Sequence, residues 1–114
     1  MNEWTIYYNP KCGSCRKALD LLKSRKIEPR IVEYLKMPPS AAEVEKLIAL
    51  VGDAHAVVRS KEDEYAVHGL SDRSTAKQVA AAIAKDPILL QRPIVVRGRR
   101  AVVARPPEKA GELF

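Results

Sequence analysis

Cys12 and Cys15 are the only cysteines in the chain, and they stand three apart within TIYYNPKCGSCRKALDLL, residues 5–22. A Cys-x-x-Cys pair can hold a metal, close a small disulfide, lie inert in a core, or exchange thiol for disulfide. A zinc site needs about four ligands, and the remaining candidates, His55 and His68, are not at finger-like spacing. A structural disulfide across so short a loop would restrain the unfolded chain little. Two incidental core cysteines remain an alternative. The flanking sequence favours the redox use: β-formers run to Tyr8, Asn9-Pro10 makes a turn, and a helical pattern starts at Gly13. Cys12 then falls at a helix N-terminus, where unpaired N–H groups and the helix dipole favour an anion. A thiol so placed ionises below the usual ~8.5, and only the thiolate is a good nucleophile. Cys15, one turn inside, is positioned to attack a disulfide or other adduct formed on Cys12.

The elements that must position this pair follow from periodicity and punctuation. Trp4–Tyr8 reads as a strand, Gly13–Lys26 as a helix with Ala18, Leu21 and Leu22 on its apolar stripe, and Arg30–Leu35 as a second strand. Strand, helix and strand in so short a space imply a right-handed parallel βαβ unit. After Pro38-Pro39, Ser40 and Glu43 form a capping-box signature ahead of Val44, Leu47, Ile48 and Val51, and Gly52 ends that helix. Residues 53–73 are less regular and suit short helices. Ser74–Lys85 reads as a third long helix, closed by Asp86-Pro87. Pro93–Val96 and Ala101–Ala104 form a hairpin across the turn Arg97–Arg100, and Pro106–Phe114 a last helix with prolines at its start. The order β-α-β, helices, β-β-α predicts an α/β protein: one thioredoxin-like domain over residues 1–114, with a four-stranded mixed sheet flanked by helices.

Composition narrows the function classes. The net charge is +6, from 20 Lys and Arg against 14 Asp and Glu, but the basic residues are spread along the chain. The densest run, 97–100, reads as a solvated turn, so direct nucleic-acid binding is not expected. No apolar run approaches the ~18 residues of a membrane span, and the N-terminus lacks the pattern of a secretory leader. A soluble cytoplasmic monomer without membrane contact is the expectation, in a reducing compartment where a close cysteine pair is catalytic, sensing or metal-binding. No bound cofactor and no metal are expected.

Five blocks, YYNPKCGSCRKAL, EYLKMPPSAAEVEKLIALVG, VVRSKEDEY, DPILLQRPIVV and VARPPE, resemble in order and spacing the glutaredoxin-coupled arsenate reductases and their Spx-like relatives, the ArsC/Spx family. The resemblance spans nearly the whole chain and implies a thioredoxin-like fold. It implies an oxidoreductase whose first-loop cysteine, here Cys12, attacks arsenate to give an arseno-cysteine adduct. Glutathione as co-substrate, then glutaredoxin, reduces that adduct and releases arsenite. It also implies that Arg59, Arg92 and Arg105 hold the oxyanion, a task that suits the planar donor fork of a guanidinium. Pro93 matches the cis-proline that thioredoxin-like proteins set opposite the reactive cysteine. The chain departs from the common arsenate reductase pattern at Tyr8, where histidine is usual, and at Cys15, where a non-cysteine residue is usual. Those enzymes also run on past the position of Phe114.

Two other functions fit the same residues. In an Spx-like redox-sensing transcriptional regulator, Cys12 and Cys15 form a disulfide switch and the surface binds RNA polymerase; Gly52 lies near the region used there, although a glycine is expected at a helix end in any case. In a glutathione-dependent reductase of another substrate, the thiol chemistry is retained and the oxyanion is replaced.

Overall fold

The computed structural model describes residues 3–114. The chain folds as two compact units, the first comprising Met1–Met37 and Arg92–Phe114, the second Pro38–Gln91.

The first unit is built on a sheet of β1 (Trp4–Tyr8), β2 (Arg30–Glu33), β3 (Ile94–Arg97) and β4 (Arg100–Val103), in the order β2-β1-β3-β4. β1 runs parallel to β2, with Tyr7 opposite Val32, and antiparallel to β3, with Ile6 opposite Val95. An internal strand buries both of its faces, which is why β1 is a run of large apolar residues rather than an alternating one: Trp4, Ile6 and Tyr7 are all buried. The helix α1 (Gly13–Ser24) lays Ala18, Leu19 and Leu22 against Trp4, Ile6 and Val95, and Ala104, Ala110 and Leu113 complete that cluster. Each Leu- or Ile-sized side chain fully removed from water there contributes about 1.5–3 kcal/mol. This apolar stripe fixes the rotation of α1 and, with it, the direction in which its first turn faces.

Several boundaries differ from the sequence reading. α1 ends at Ser24 rather than Lys26: Lys26 takes a left-handed φ of 61°, and the Ile27 N–H returns to the Leu22 carbonyl at 3.0 Å. β2 stops at Glu33. Arg97 and Arg100, expected on the turn, are instead the last and first residues of paired strands, facing each other across the hairpin. The turn itself is Gly98-Arg99, with Gly98 at φ 59°, as a two-residue turn with glycine in its first place requires. The final helix is a 3-10 helix over Pro107–Leu113. Arg97 and Arg100 tie it to the hairpin, donating to the carbonyls of Leu113 at 2.7 Å and Glu112 at 2.6 Å.

In the second unit, α2 (Ala41–Val51) packs on α5 (Ala76–Lys85), with the short helices α3 (Ala54–Val57) and α4 (Asp63–Val67) between them in sequence. Val44, Leu47, Ile48, Val79, Ala80 and Ile83 are its buried stripe residues. Ser40 caps α2 by accepting from the Glu43 N–H at 3.1 Å, and Gly52 ends it at φ 88°. α5 starts later than predicted because Thr75, not Ser74, is its cap, in a reciprocal capping box with Gln78. The strand order and directions of the first unit are those of the thioredoxin-like fold, as the sequence predicts.

Candidate active site

The loop between β1 and α1 is organised by Asn9. Its backbone carbonyl accepts the Cys12 N–H at 2.9 Å, and its side-chain Oδ1 accepts the Lys11 N–H at 3.0 Å. This Asx-type turn swings the chain from the end of the strand into the helix. Cys12 lands on the N-cap of α1 with extended backbone angles, φ −97° and ψ 120°. Its sulfur does not take up the full capping geometry, yet the Cys15 N–H in the first turn favours its ionised form. Both cysteines are free thiols; Cys12 is 9% exposed and Cys15 fully buried.

Charge divides the two thiols. Burial pushes the Cys12 thiol up. Against it act the Cys15 backbone N–H, the Cys15 side chain as donor, and the charge and hydrogen bond of Arg92, which together leave Cys12 below its ordinary value. Burial pushes the Cys15 thiol up to about 12, opposed by the Asn9 backbone N–H and reinforced by the adjacent Cys12 sulfur as acceptor and charge. The two sulfurs share a hydrogen bond in which the buried Cys15 S–H is the donor and the Cys12 sulfur the acceptor. Of the two, only Cys12 retains any exposure.

Arg92 follows the second unit in sequence and opens the segment leading into β3. Its Nε and Nη1 are buried, and its guanidinium acts on Cys12 and Cys15. The Arg92–Pro93 peptide is cis, and the Pro93 carbonyl accepts the Ala104 N–H at 2.9 Å, so the segment is anchored to the end of β4. Arg105 donates from Nη1 to the Arg92 carbonyl at 3.0 Å, and the following Arg105–Pro106 peptide is also cis. The first unit thus brings Cys12, Cys15, Arg92 and Pro93 together around one loop, with Arg105 fastened to Arg92.

Arg59 belongs to the second unit. Its guanidinium pairs with Glu62 at 2.9 Å, and its N–H donates to the Leu89 carbonyl at 2.7 Å. Among the described residues no cluster of three or more His, Cys, Asp or Glu could hold a metal, and His68 pairs with Asp86 at 2.6 Å.

Sequence reasoning missed Asn9 and Tyr34 as contributors. Tyr34 follows β2 and is 1% exposed; its hydroxyl is hydrogen-bonded by the Asn9 side chain and feels the charges of Arg92, Cys15 and Cys12. Burial pushes it up to about 12, so it stays a neutral phenol. The signal was present in part, since a tyrosine at the end of an apolar run can bury its ring only where its hydroxyl finds a partner. Tyr8, at the end of β1, is also raised, by burial and then by Cys15.

Similarity to known proteins spans nearly the whole chain. The family model for the ArsC family matches residues 7–113. An arsenate reductase of Rhizobium meliloti is 42% identical over 106 residues, covering 91% of this chain and 76% of that protein. The uncharacterized protein YfgD of Escherichia coli is 39% identical over 111 residues, covering 95% of this chain and 93% of its own length. Among solved structures, an arsenate reductase from Vibrio cholerae superposes with a TM-score of 0.90 at 36% identity, covering 97% of each chain. A family match over nearly the full length, relatives near 40% identity and a shared fold lead to one conclusion: this chain belongs to the ArsC family.

Proposed function

We propose that the protein is a thiol-dependent arsenate reductase in which Cys12 is the nucleophile and Cys15 a resolving thiol. The observation that carries this reading is the division between the two sulfurs, one held below its ordinary value beside Arg92, the other buried and protonated. The Cys12 thiolate attacks As(V), and one arsenate oxygen leaves as water after taking up two protons, giving a Cys12–S–As(V) adduct. Adduct formation consumes the Cys12 negative charge, which had been raising Cys15. The burial cost of ionising Cys15 remains, but Arg92 is then free to favour its thiolate. Cys15 attacks the Cys12 sulfur; the S–As bond breaks with its electron pair on arsenic, which becomes As(III) and keeps the proton released by Cys15. The two sulfurs, each oxidised by one electron, end as a disulfide. Glutathione can replace Cys15 in this attack, giving a mixed disulfide that glutaredoxin reduces.

Arg92 and Arg105 are the first unit's donors for the tetrahedral anion, and Arg59 is assigned to the same anion by the resemblance. A monomeric cytoplasmic enzyme of a single working domain, with no bound cofactor and glutathione as co-substrate, completes the proposal. The arsenate reductase names of the relatives support the enzyme over a polymerase-binding regulator. The test is arsenate-dependent NADPH oxidation coupled through glutathione and glutaredoxin. Cys12→Ser should abolish turnover, and Cys15→Ser should slow it or shift it toward dependence on glutathione. Full activity in Cys12→Ser, or no arsenate-dependent oxidation in the unaltered protein, overturns the reading.

A further inference from the structure

We propose that Asn9 and Tyr34 form a positioning pair that sets the reactivity of Cys12, a role that rests on Cys12 being the nucleophile. Asn9 meets the site at four points. Its carbonyl accepts the Cys12 N–H at 2.9 Å, its Oδ1 accepts the Lys11 N–H at 3.0 Å, its N–H donates toward the Cys15 sulfur, and its side-chain amide donates to the Tyr34 hydroxyl. An amide whose oxygen is already turned to Lys11 must present its nitrogen on the other side. Tyr34 supplies the acceptor there.

Tyr34 can hold this position because it is itself enclosed. Its ring is buried, and it follows directly on β2, whose register to β1 is fixed by Thr5–Arg30 through Tyr8–Glu33 pairing. Tyr8 is the residue just before Asn9, and Glu33 the residue just before Tyr34. The strand pair therefore brings Asn9 and Tyr34, the residues that follow its last pair, out at the same end of the sheet. The hydroxyl locks the amide, the amide locks the turn, and the turn sets Cys12 on the helix N-terminus with its sulfur toward the Cys15 N–H and Arg92. A phenylalanine at position 34 would fill the same volume and leave the amide nitrogen without that acceptor.

The test is the pH profile of Cys12 alkylation by iodoacetamide in the full chain, with Cys12 and Cys15 resolved by peptide mapping. Tyr34→Phe should move the Cys12 midpoint upward by about half a unit to one unit, so that alkylation below the midpoint slows roughly 3- to 10-fold. Asn9→Ser keeps a short oxygen for the Lys11 N–H but cannot reach Tyr34, and should shift the midpoint in the same direction. The double variant should shift it no further than the larger single effect. A melting temperature lowered in Tyr34→Phe with an unmoved midpoint overturns the positioning role and leaves the nucleophile standing. The same holds for strictly additive shifts. An ordinary Cys12 midpoint in the unaltered protein overturns both. If Tyr34→Phe fails to fold, Asn9→Ser alone decides by the same criterion.

Discussion

Replacing Arg92 by methionine tests the electrostatic core of the site. The side chain keeps much of its bulk, so the main loss is the guanidinium, which acts on Cys12 both as a charge and as a hydrogen-bond donor. Burial is the strongest influence on Cys12 and pushes it upward; the Cys15 N–H and side chain then oppose burial alone. A hydrogen bond to a charged group contributes about 1.5–3 kcal/mol, and each pKa unit corresponds to about 1.4 kcal/mol, so the Cys12 midpoint should rise by roughly 1–2 units. The alkylation rate at a pH below the original midpoint should fall roughly 10- to 100-fold, while the rate at a pH above the new midpoint stays within a few-fold of the original, because the thiolate itself is unchanged. Arg92→Lys should recover part of the shift, since a point charge replaces the fork. The assay is iodoacetamide labelling against pH with Cys12 followed by mass. A midpoint in Arg92→Met within about 0.3 units of the unaltered protein refutes the reasoning, because that corresponds to only ~0.4 kcal/mol, too little for a direct contact.

Folding stability should decline at alkaline pH. Cys15 and Tyr34 are acids whose folded values, each about 12, lie above their unfolded ones, so the unfolded chain releases their protons first and gains stability as pH rises through that window. Each group contributes a slope of up to about 1.4 kcal/mol per pH unit, and urea unfolding should show a shallower alkaline limb in Cys15→Ala and Tyr34→Phe; an unchanged limb in both contradicts the burial argument. Arg97→Ala should lower the melting temperature by roughly 4–12 °C, for a loss of ~1–2 kcal/mol, because Arg97 bonds Glu3 and the Leu113 carbonyl, each at 2.7 Å, and lies 5.0 Å over the Trp4 ring. Arg99→Ala, on the exposed turn, should leave it within about 1 °C, and equal effects at the two positions would show that the clip to the 3-10 helix does not form.

The contrast between Arg97 and Arg99 shows what a sequence can and cannot convey. The two lie in one basic run that reads as a single solvated turn. Two positions separate the last paired residue of β3, a structural clip, from a surface charge in the turn, and where pairing ends depends on register with β1, which the local sequence does not encode. Features written locally came through: the Ser40 cap, the Gly52 terminator, and the strand, Asn-Pro turn and helix that put Cys12 at a helix head. Those that depend on distant packing did not. Nothing near Tyr34 announces that its hydroxyl meets Asn9, because the meeting is made by the parallel alignment of β1 and β2. The closeness of Arg92 to Cys12 was accessible only through the family resemblance, since an isolated arginine is most often a surface residue.

The placement of β1 between β2 and β3 has a consequence for the protein while it is being made. β1 finds its first neighbour soon after it emerges, but its second, pairing Tyr7 with Ile94, lies far downstream and is translated much later. At ~5–20 residues per second, the gap of roughly 80 residues between Cys12 and Arg92 lasts several seconds. During that interval the nascent chain carries Cys12 without the guanidinium whose charge and hydrogen bond help to lower it. The last of the influences that lower the sulfur is added only when the arginine arrives and the sheet closes. Biosynthetic order thus delays the full acidification of Cys12 until Arg92 has been added.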